Sequence, residues 1–157
     1  MKFSHYIRNG SWLLFGGLIL AIMIPEFLFA ETCPQERKTA TAPMEYLEKK
    51  NPLRNEPRHL KKGKVLAHIK AKPLACKQCH GMAGNGEGPM SLRMMPKPRN
   101  FTCELTMESI SDGQLFWIIK NGSTGTSMPA YKHLSDVKVW QLIHYIRSLT
   151  LNASQQQ

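Results

Sequence analysis

Residues 76–80 read Cys76-Lys77-Gln78-Cys79-His80, and this pentapeptide decides how the whole chain is interpreted. A thioredoxin-like redox pair belongs at a strand-to-helix junction, but no strand pattern precedes Cys76. A zinc site usually needs a second pair of ligands, whereas Cys33 and Cys103 each stand alone in the sequence. A disulfide within the pentapeptide would close a tight, strained loop. These three alternatives therefore fit the pentapeptide poorly.

The spacing instead favours covalent attachment of a c-type haem. Two thiols at this spacing add to the two vinyl groups of one porphyrin, and the adjacent His80 is then held beneath the iron. The porphyrin would also be the largest apolar element of a small chain whose own core is marginal. We therefore predict one haem c bound through Cys76 and Cys79, with His80 as the proximal iron ligand.

The second axial ligand is predicted to be Met128, which follows a Gly/Ser/Thr loop and precedes Pro129. A thioether there favours ferrous iron and raises the reduction potential relative to a second imidazole. Cys103 is the alternative sixth ligand, because a thiolate would lower the potential and shift the chemistry toward gas binding. Met128 could also only pack on the ring, which leaves an open site or a histidine: His59, His68, His133 or His144. Three other methionines are expected to pack in the haem crevice: Met90, Met94 and Met95.

The first thirty residues have the pattern of a targeting segment. Lys2, His5 and Arg8 precede an apolar run of 13 residues, Trp12 to Ile24. This run is shorter than the roughly 20 residues that span a bilayer. We predict a signal peptide at residues 1–30, with an uncleaved membrane anchor as the alternative. In either case the rest of the chain is expected in the periplasm.

Three segments are predicted after that signal. Residues 31–59 carry four prolines and form an extended basic N-terminal arm, with at most a short helix around Met44–Lys50. Residues 60–150 form one domain, and residues 151–157 a disordered tail. Helical periodicity predicts helices over Leu60–Lys70, from Ser111 to Asn121, and from Ser135 or Asp136 to Leu149. Because strand patterns are absent, the predicted fold class is all-α with long loops.

The positive charge is concentrated in one part of the chain. The formal net charge is +10, and Lys49–Lys77 holds ten basic residues and one acid. We call residues 49–77 the basic stripe and predict that it steers an acidic redox partner toward the haem. A merely solvated helix face is the alternative. A nucleic-acid binder fits an exported haem protein poorly.

Several motifs, in order, resemble a class I monohaem cytochrome c of the bacterial kind, from about Leu60 to Leu149. The shared motifs are the pentapeptide with Gly81, Gly84-x-Gly86-x-Gly88-Pro89, Pro96–Phe101, Ser111–Trp117, Asn121-Gly122, Gly125–Ala130 and Trp140…Tyr145-Ile146-Arg147. The resemblance implies a small cytochrome c fold of about three to five helices around one haem. Its first and last helices would cross, which sets Gly63 and Leu66 against three residues: Trp140, Tyr145 and Ile146. It also implies His80 and Met128 as axial ligands, and the Pro89 carbonyl as acceptor of the His80 ring N–H.

The sequence departs from this family in two places. Gly63 lies 13 positions before Cys76, which is longer than the family's usual stretch, so the first helix is expected to run on or to kink at Pro73. Cys103 occupies a position that is ordinarily polar. In an oxidising compartment it can pair with Cys33 and tie the arm to the domain. A free thiol, a disulfide to a partner and haem ligation are the alternatives.

The predicted function is transport of single electrons between redox partners, by a free carrier or by an electron-transfer subunit of a respiratory complex. The chain is not expected to be an enzyme itself, because it has no paired carboxylates, no nucleophile with a base and no phosphate cradle. The alternative is a gas-binding (NO or CO) or enzymatic haem c protein whose sixth position is Cys103 or vacant.

Overall fold

The computed structural model describes residues 33–36 and 39–154, so the predicted signal segment lies outside the described residues. This part of the chain contains helices and no strand, which confirms the all-α class. Its six α-helices are α1 Met44–Leu47, α2 Pro57–Val65, α3 Lys77–His80, α4 Glu104–Glu108, α5 Asp112–Asn121 and α6 Asp136–Ser154. The three longest, α2, α5 and α6, correspond to the three predicted helices. None of the described helices is both long and apolar enough to cross a bilayer.

Helix α2 begins three residues before its predicted start. Pro57 occupies its first turn, where the missing N–H of proline costs no hydrogen bond. Its C-terminal end widens into a π-helical turn over Leu66–Lys70, in which the Ala71 N–H bonds the Leu66 carbonyl at 2.9 Å. The helical backbone therefore runs on to Lys70 through this wider turn and ends before Pro73.

Helices α2 and α6 cross at Gly63, as predicted. A Cβ atom at this position would overlap the Gln141 carbonyl oxygen and lie 2.9 Å from the Cβ of Tyr145. The absence of a side chain thus lets the two backbones touch. Around this crossing, Leu66 shares one buried core with Trp140 and other apolar residues of α5 and α6.

Replacing Gly63 by alanine is expected to lower the free energy of unfolding by roughly 3 kcal/mol, the upper part of the range for overpacked cores. The added methyl group meets the backbone of α6, which cannot move aside as a flexible side chain would. Urea unfolding followed by circular dichroism measures the change. The neighbouring exposed position gives the control, since Lys64→Ala is expected to shift stability by less than about 0.5 kcal/mol. Equal stability of Gly63→Ala and the wild type would contradict the close crossing.

The N-terminus of helix α5 is capped by a side chain. The Ser111 Oγ accepts the Gln114 N–H at 3.1 Å. The Gln114 side chain does not return to Ser111. It binds the N-terminal arm instead, where its Oε1 accepts the Ala42 N–H at 2.8 Å and its Nε2 donates to the Ala40 carbonyl at 3.1 Å. At the other end Gly122 has φ of 76°, a conformation that favours glycine.

The N-terminal arm packs along the domain. A disulfide joins Cys33 to Cys103 with their Cα atoms 5.7 Å apart, which confirms this pairing over the three alternatives. Farther along the arm, the Asn51 Nδ2 donates to the Trp140 carbonyl of α6 at 3.0 Å. The arm is therefore attached at Cys33, at Asn51 and, between them, through Gln114.

Helix α6 ends at Ser154, five residues beyond the predicted Leu149. The predicted disordered tail is therefore wrong for residues 151–154, which are helical, and residues 155–157 lie outside the described part. The physical reason lies one turn earlier, where the Thr150 Oγ1 donates to the Phe101 carbonyl at 2.8 Å. This bond ties the end of the helix to the loop beside the site.

Candidate cofactor site

The predicted attachment residues line one large cavity. It has a volume of about 680 Å³, and its wall includes Cys76, Cys79, His80 and Met128. Helices α5 and α6 and the π-helical turn after α2 supply side chains to the same wall, and the loops on either side of α3 close it. A mostly apolar cavity of this size with a few polar groups is typical of a cofactor site.

Cys76, Cys79 and His80 are brought together by the short helix α3. Positions i, i+3 and i+4 share one helical face, and the His80 N–H bonds the Cys76 carbonyl at 2.9 Å. Both thiols are free, and burial raises the pKa of Cys76 to about 11 and also raises that of Cys79. A redox-active Cys-x-x-Cys pair requires the opposite, a lowered thiol pKa. The environment therefore argues against thioredoxin-like chemistry.

The His80 ring is held by the loop that follows the glycine-rich segment. Its Nδ1 lies 2.9 Å from the Arg99 carbonyl oxygen, so the Nδ1–H donates and Nε2 stays available as a ligand. Burial lowers the pKa of this imidazole, which keeps the ring neutral, as a metal ligand must be. Phe101 stacks on the ring with the centroids 4.4 Å apart.

The prediction that Pro89 accepts the His80 proton is wrong in this structure. Pro89 is exposed and is not among the described residues that line the cavity. The Arg99 carbonyl takes its place because the neighbouring Phe101 N–H bonds the Gly84 carbonyl at 2.7 Å, which draws this loop against α3.

Met128 lies on a loop that is ordered by its own hydrogen bonds. Its N–H bonds the Thr126 Oγ1 at 3.1 Å, and its carbonyl accepts the Ser123 N–H at 3.2 Å. A Cβ atom on Gly122 would lie 2.9 Å from the Met128 carbonyl oxygen, so this approach requires glycine. The methionine is half-buried, and the loop presents it at the cavity wall.

The structure reduces the list of alternative ligands. Cys103 is only 3% exposed and bonded to Cys33, so the prediction of Cys103 as an alternative sixth ligand is wrong. His68 lines the cavity, and its Nε2 lies 2.7 Å from the Tyr145 hydroxyl. The other three candidate histidines are not among the described residues that line the cavity: His59, His133 and His144. Of the three methionines expected in the crevice, Met94 and Met95 line it and Met90 does not.

Part of the cavity wall comes from the N-terminal arm, which the sequence did not indicate. The arm residues concerned are Pro34, Gln35, Glu36 and Thr39. The available signal was the pair Cys33 and Cys103, whose disulfide brings the start of the arm to this face of the domain.

The residues present fit a covalently bound haem. Two free thiols, a neutral imidazole with an available Nε2 and a thioether share one apolar wall. The hydroxyl of Ser123, also on this wall, is buried and has no hydrogen-bond partner among the described residues. A buried hydroxyl of this kind favours a ligand that brings a polar group of its own.

The chain is similar to a known protein family and to a solved structure. Residues 59–146, more than half of the chain, match the family model described as cytochrome c oxidase, cbb3-type, subunit III. Among solved structures, a chain of the Kuenenia stuttgartiensis reducing HAO-like protein complex is similar, with 34% sequence identity and a TM-score of 0.55. The similarity covers 62% of this chain and 46% of that chain, so this chain spans less than half of its neighbour's length. No curated protein matches this chain.

Proposed function

Because this chain belongs to the family of cytochrome c oxidase, cbb3-type, subunit III, and is thus a c-type cytochrome, we propose that it carries single electrons in the periplasm. The family implies a covalently bound haem c and haem-based electron transfer. Beyond that, the proposal comprises one haem, His and Met ligation, and a role as a free carrier or as an electron-transfer subunit. The observation that carries it is the single cavity shared by Cys76, Cys79, His80 and Met128.

Each of these residues has a separate task in the proposal. Cys76 and Cys79 hold the haem through thioether bonds, and the His80 Nε2 and the Met128 thioether are the axial ligands. The haem supplies a one-electron couple. The Arg99 carbonyl orients His80 through Nδ1–H and makes the imidazole more basic. The apolar wall keeps water away, and together with the thioether ligand this favours ferrous iron.

An optical experiment on the purified, haem-loaded chain tests the ligation. We expect a low-spin spectrum in both oxidation states, a weak near-infrared band of methionine ligation in the ferric protein, and no rapid binding of carbon monoxide. Rapid carbon monoxide binding without that band would contradict the carrier. It would support the gas-binding alternative with a vacant sixth position. The form with Cys103 as sixth ligand is excluded because Cys103 is bonded to Cys33.

The basic stripe supports an acidic redox partner. Nine of its ten basic residues are exposed. The tenth, Lys77, is half-buried and lines the cavity. The pKa of His68, another residue of the cavity wall, is lowered chiefly by burial and further by the positive charges of Lys64 and Lys77. Positive charge thus reaches the edge of the candidate site. The neighbour in Kuenenia stuttgartiensis belongs to a protein complex, which supports a larger assembly for this chain as well.

Charge reversal at Lys64 is expected to slow electron transfer to an anionic oxidant. With the ferrous protein and hexacyanoferrate(III) in stopped flow at low salt, Lys64→Glu should reduce the rate roughly fivefold, equivalent to about 1 kcal/mol of surface electrostatics. High salt should remove most of the difference. Lys138→Glu, an exposed lysine outside the stripe, serves as the matched control and should change the rate less. Rates that do not depend on salt would contradict the steering role.

A further inference from the structure

Gln35 of the N-terminal arm makes several hydrogen bonds to the loop beside His80. Its Oε1 accepts the Asn100 N–H at 2.8 Å, and its Nε2 lies 3.4 Å from the Pro98 carbonyl. The Gln35 main-chain carbonyl accepts a hydrogen bond from the Arg99 guanidinium at 3.3 Å. Three consecutive loop residues are therefore held by a single residue of the arm.

Gln35 is itself fixed on the domain. Its N–H donates to the Thr106 Oγ1 on α4 at 2.8 Å. Two residues earlier the chain is bonded through Cys33 to Cys103, the residue that directly precedes α4. These two anchors hold the Gln35 backbone in place, so its side chain acts on the loop from a fixed position.

The peptide that Gln35 holds is the one that meets the proximal histidine. The Arg99 carbonyl, which accepts the His80 Nδ1–H, lies between Pro98 and Asn100. Asn100 is buried, and its Oδ1 accepts the Thr102 N–H at 2.8 Å, so the far side of the loop is ordered as well. Without the Gln35 hydrogen bonds to Pro98 and Asn100, the Arg99 peptide would be less restrained on the side that faces the arm.

We propose that Gln35 is a positioning residue for His80, which holds residues 98–100 so that the Arg99 carbonyl stays within hydrogen-bond distance of Nδ1. This inference rests on the proposed role of His80 as iron ligand. A carbonyl that accepts Nδ1–H makes the imidazole more electron-rich and favours ferric iron. The arm is then a working part of the haem site, and Gln35 acts on the reduction potential through the loop.

The test uses the full, haem-loaded chain with Gln35→Leu, which removes the side-chain hydrogen bonds to Pro98 and Asn100 and retains the bulk. Hydrogen exchange of the His80 ring Nδ1–H, followed by NMR in the ferrous protein, is expected to accelerate. The ferric–ferrous equilibrium constant should shift toward ferrous by roughly twofold to tenfold, the range of one hydrogen bond. Gln35→Asn, shortened by one methylene, should change both readouts less and in the same direction, and it covers the case in which Gln35→Leu does not fold.

Two further variants separate positioning from attachment of the arm. Asn51→Leu removes another amide that ties the arm to the domain, away from the cavity wall, and should leave the Nδ1–H exchange and the potential unchanged. Gln35→Glu keeps the acceptor for the Asn100 N–H and should keep the slow exchange.

The possible failures are distinguishable. Wild-type exchange and potential in Gln35→Leu, or equal effects of Asn51→Leu, would overturn the positioning role and leave the proposed function intact. A wild-type protein without haem, or with haem that His80 does not ligate, would overturn both proposals.

Discussion

Replacing Cys76 and Cys79 together by alanine is expected to abolish covalent attachment of the haem. Both thiols lie free on the cavity wall, and they are the two free cysteines of the described chain. After denaturation and extraction, the wild-type protein should keep its haem absorbance and the double variant should lose it. The intact mass of the wild type should exceed that of its polypeptide by one haem. The variant should also unfold at a lower temperature, since a small domain depends on such an apolar element.

The chain provides a matched control for this experiment. Cys33→Ala with Cys103→Ala also removes two cysteines, but those form the disulfide of the arm. This variant should retain covalent haem in full and lose only stability, by about 2–5 kcal/mol. Haem that stays bound to denatured Cys76→Ala/Cys79→Ala, or that is lost from the control, would contradict the assignment of the attachment thiols.

Replacing Met128 by alanine has the second large expected effect. Without the thioether the sixth position opens, so the spectrum should change from low-spin to high-spin and carbon monoxide should bind to the ferrous protein. The reduction potential should fall by on the order of 0.1 V, a fraction of the roughly 0.8 V range that axial ligands cover. Optical spectra and a redox titration measure both changes.

Met94→Ala is the matched control for the sixth ligand, because Met94 is another half-buried methionine on the cavity wall. It should keep the low-spin spectrum and the near-infrared band. A low-spin spectrum that survives in Met128→Ala would show that another residue ligates the iron, and His68 would then be the first to examine because it lines the same cavity.

The features predicted most accurately from the sequence are those that depend on periodicity and on local motifs. Helices α2, α5 and α6 were found because their apolar residues recur at helical spacing over nine or more residues. The short helix α4, Glu104–Glu108, has only five residues and leaves too few repeats for such a pattern. The end of α6 was missed because a distant contact, that of Thr150 with Phe101, stabilises its last turns.

The predicted site residues met in one cavity, but their surroundings could not be read from the sequence. The acceptor for His80 is a main-chain carbonyl, that of Arg99, and every residue type has one. Pro89 was inferred from a family motif, and the structure replaces it. Gln35 carries no motif at all, and its bonds to residues 98 and 100 span more than sixty positions. Such contacts depend on how the arm packs, which only the folded chain determines.

The proton NMR spectrum of the ferrous protein with labelled methionine methyl groups tests the ligation of the haem iron most directly. A methyl group held against the face of a porphyrin is shifted strongly upfield by the ring current. We predict that one methionine gives such a resonance and that it disappears in Met128→Ala but persists in Met94→Ala. A spectrum without a strongly upfield methionine methyl, or one in which that signal survives in Met128→Ala, would contradict the proposed ligation.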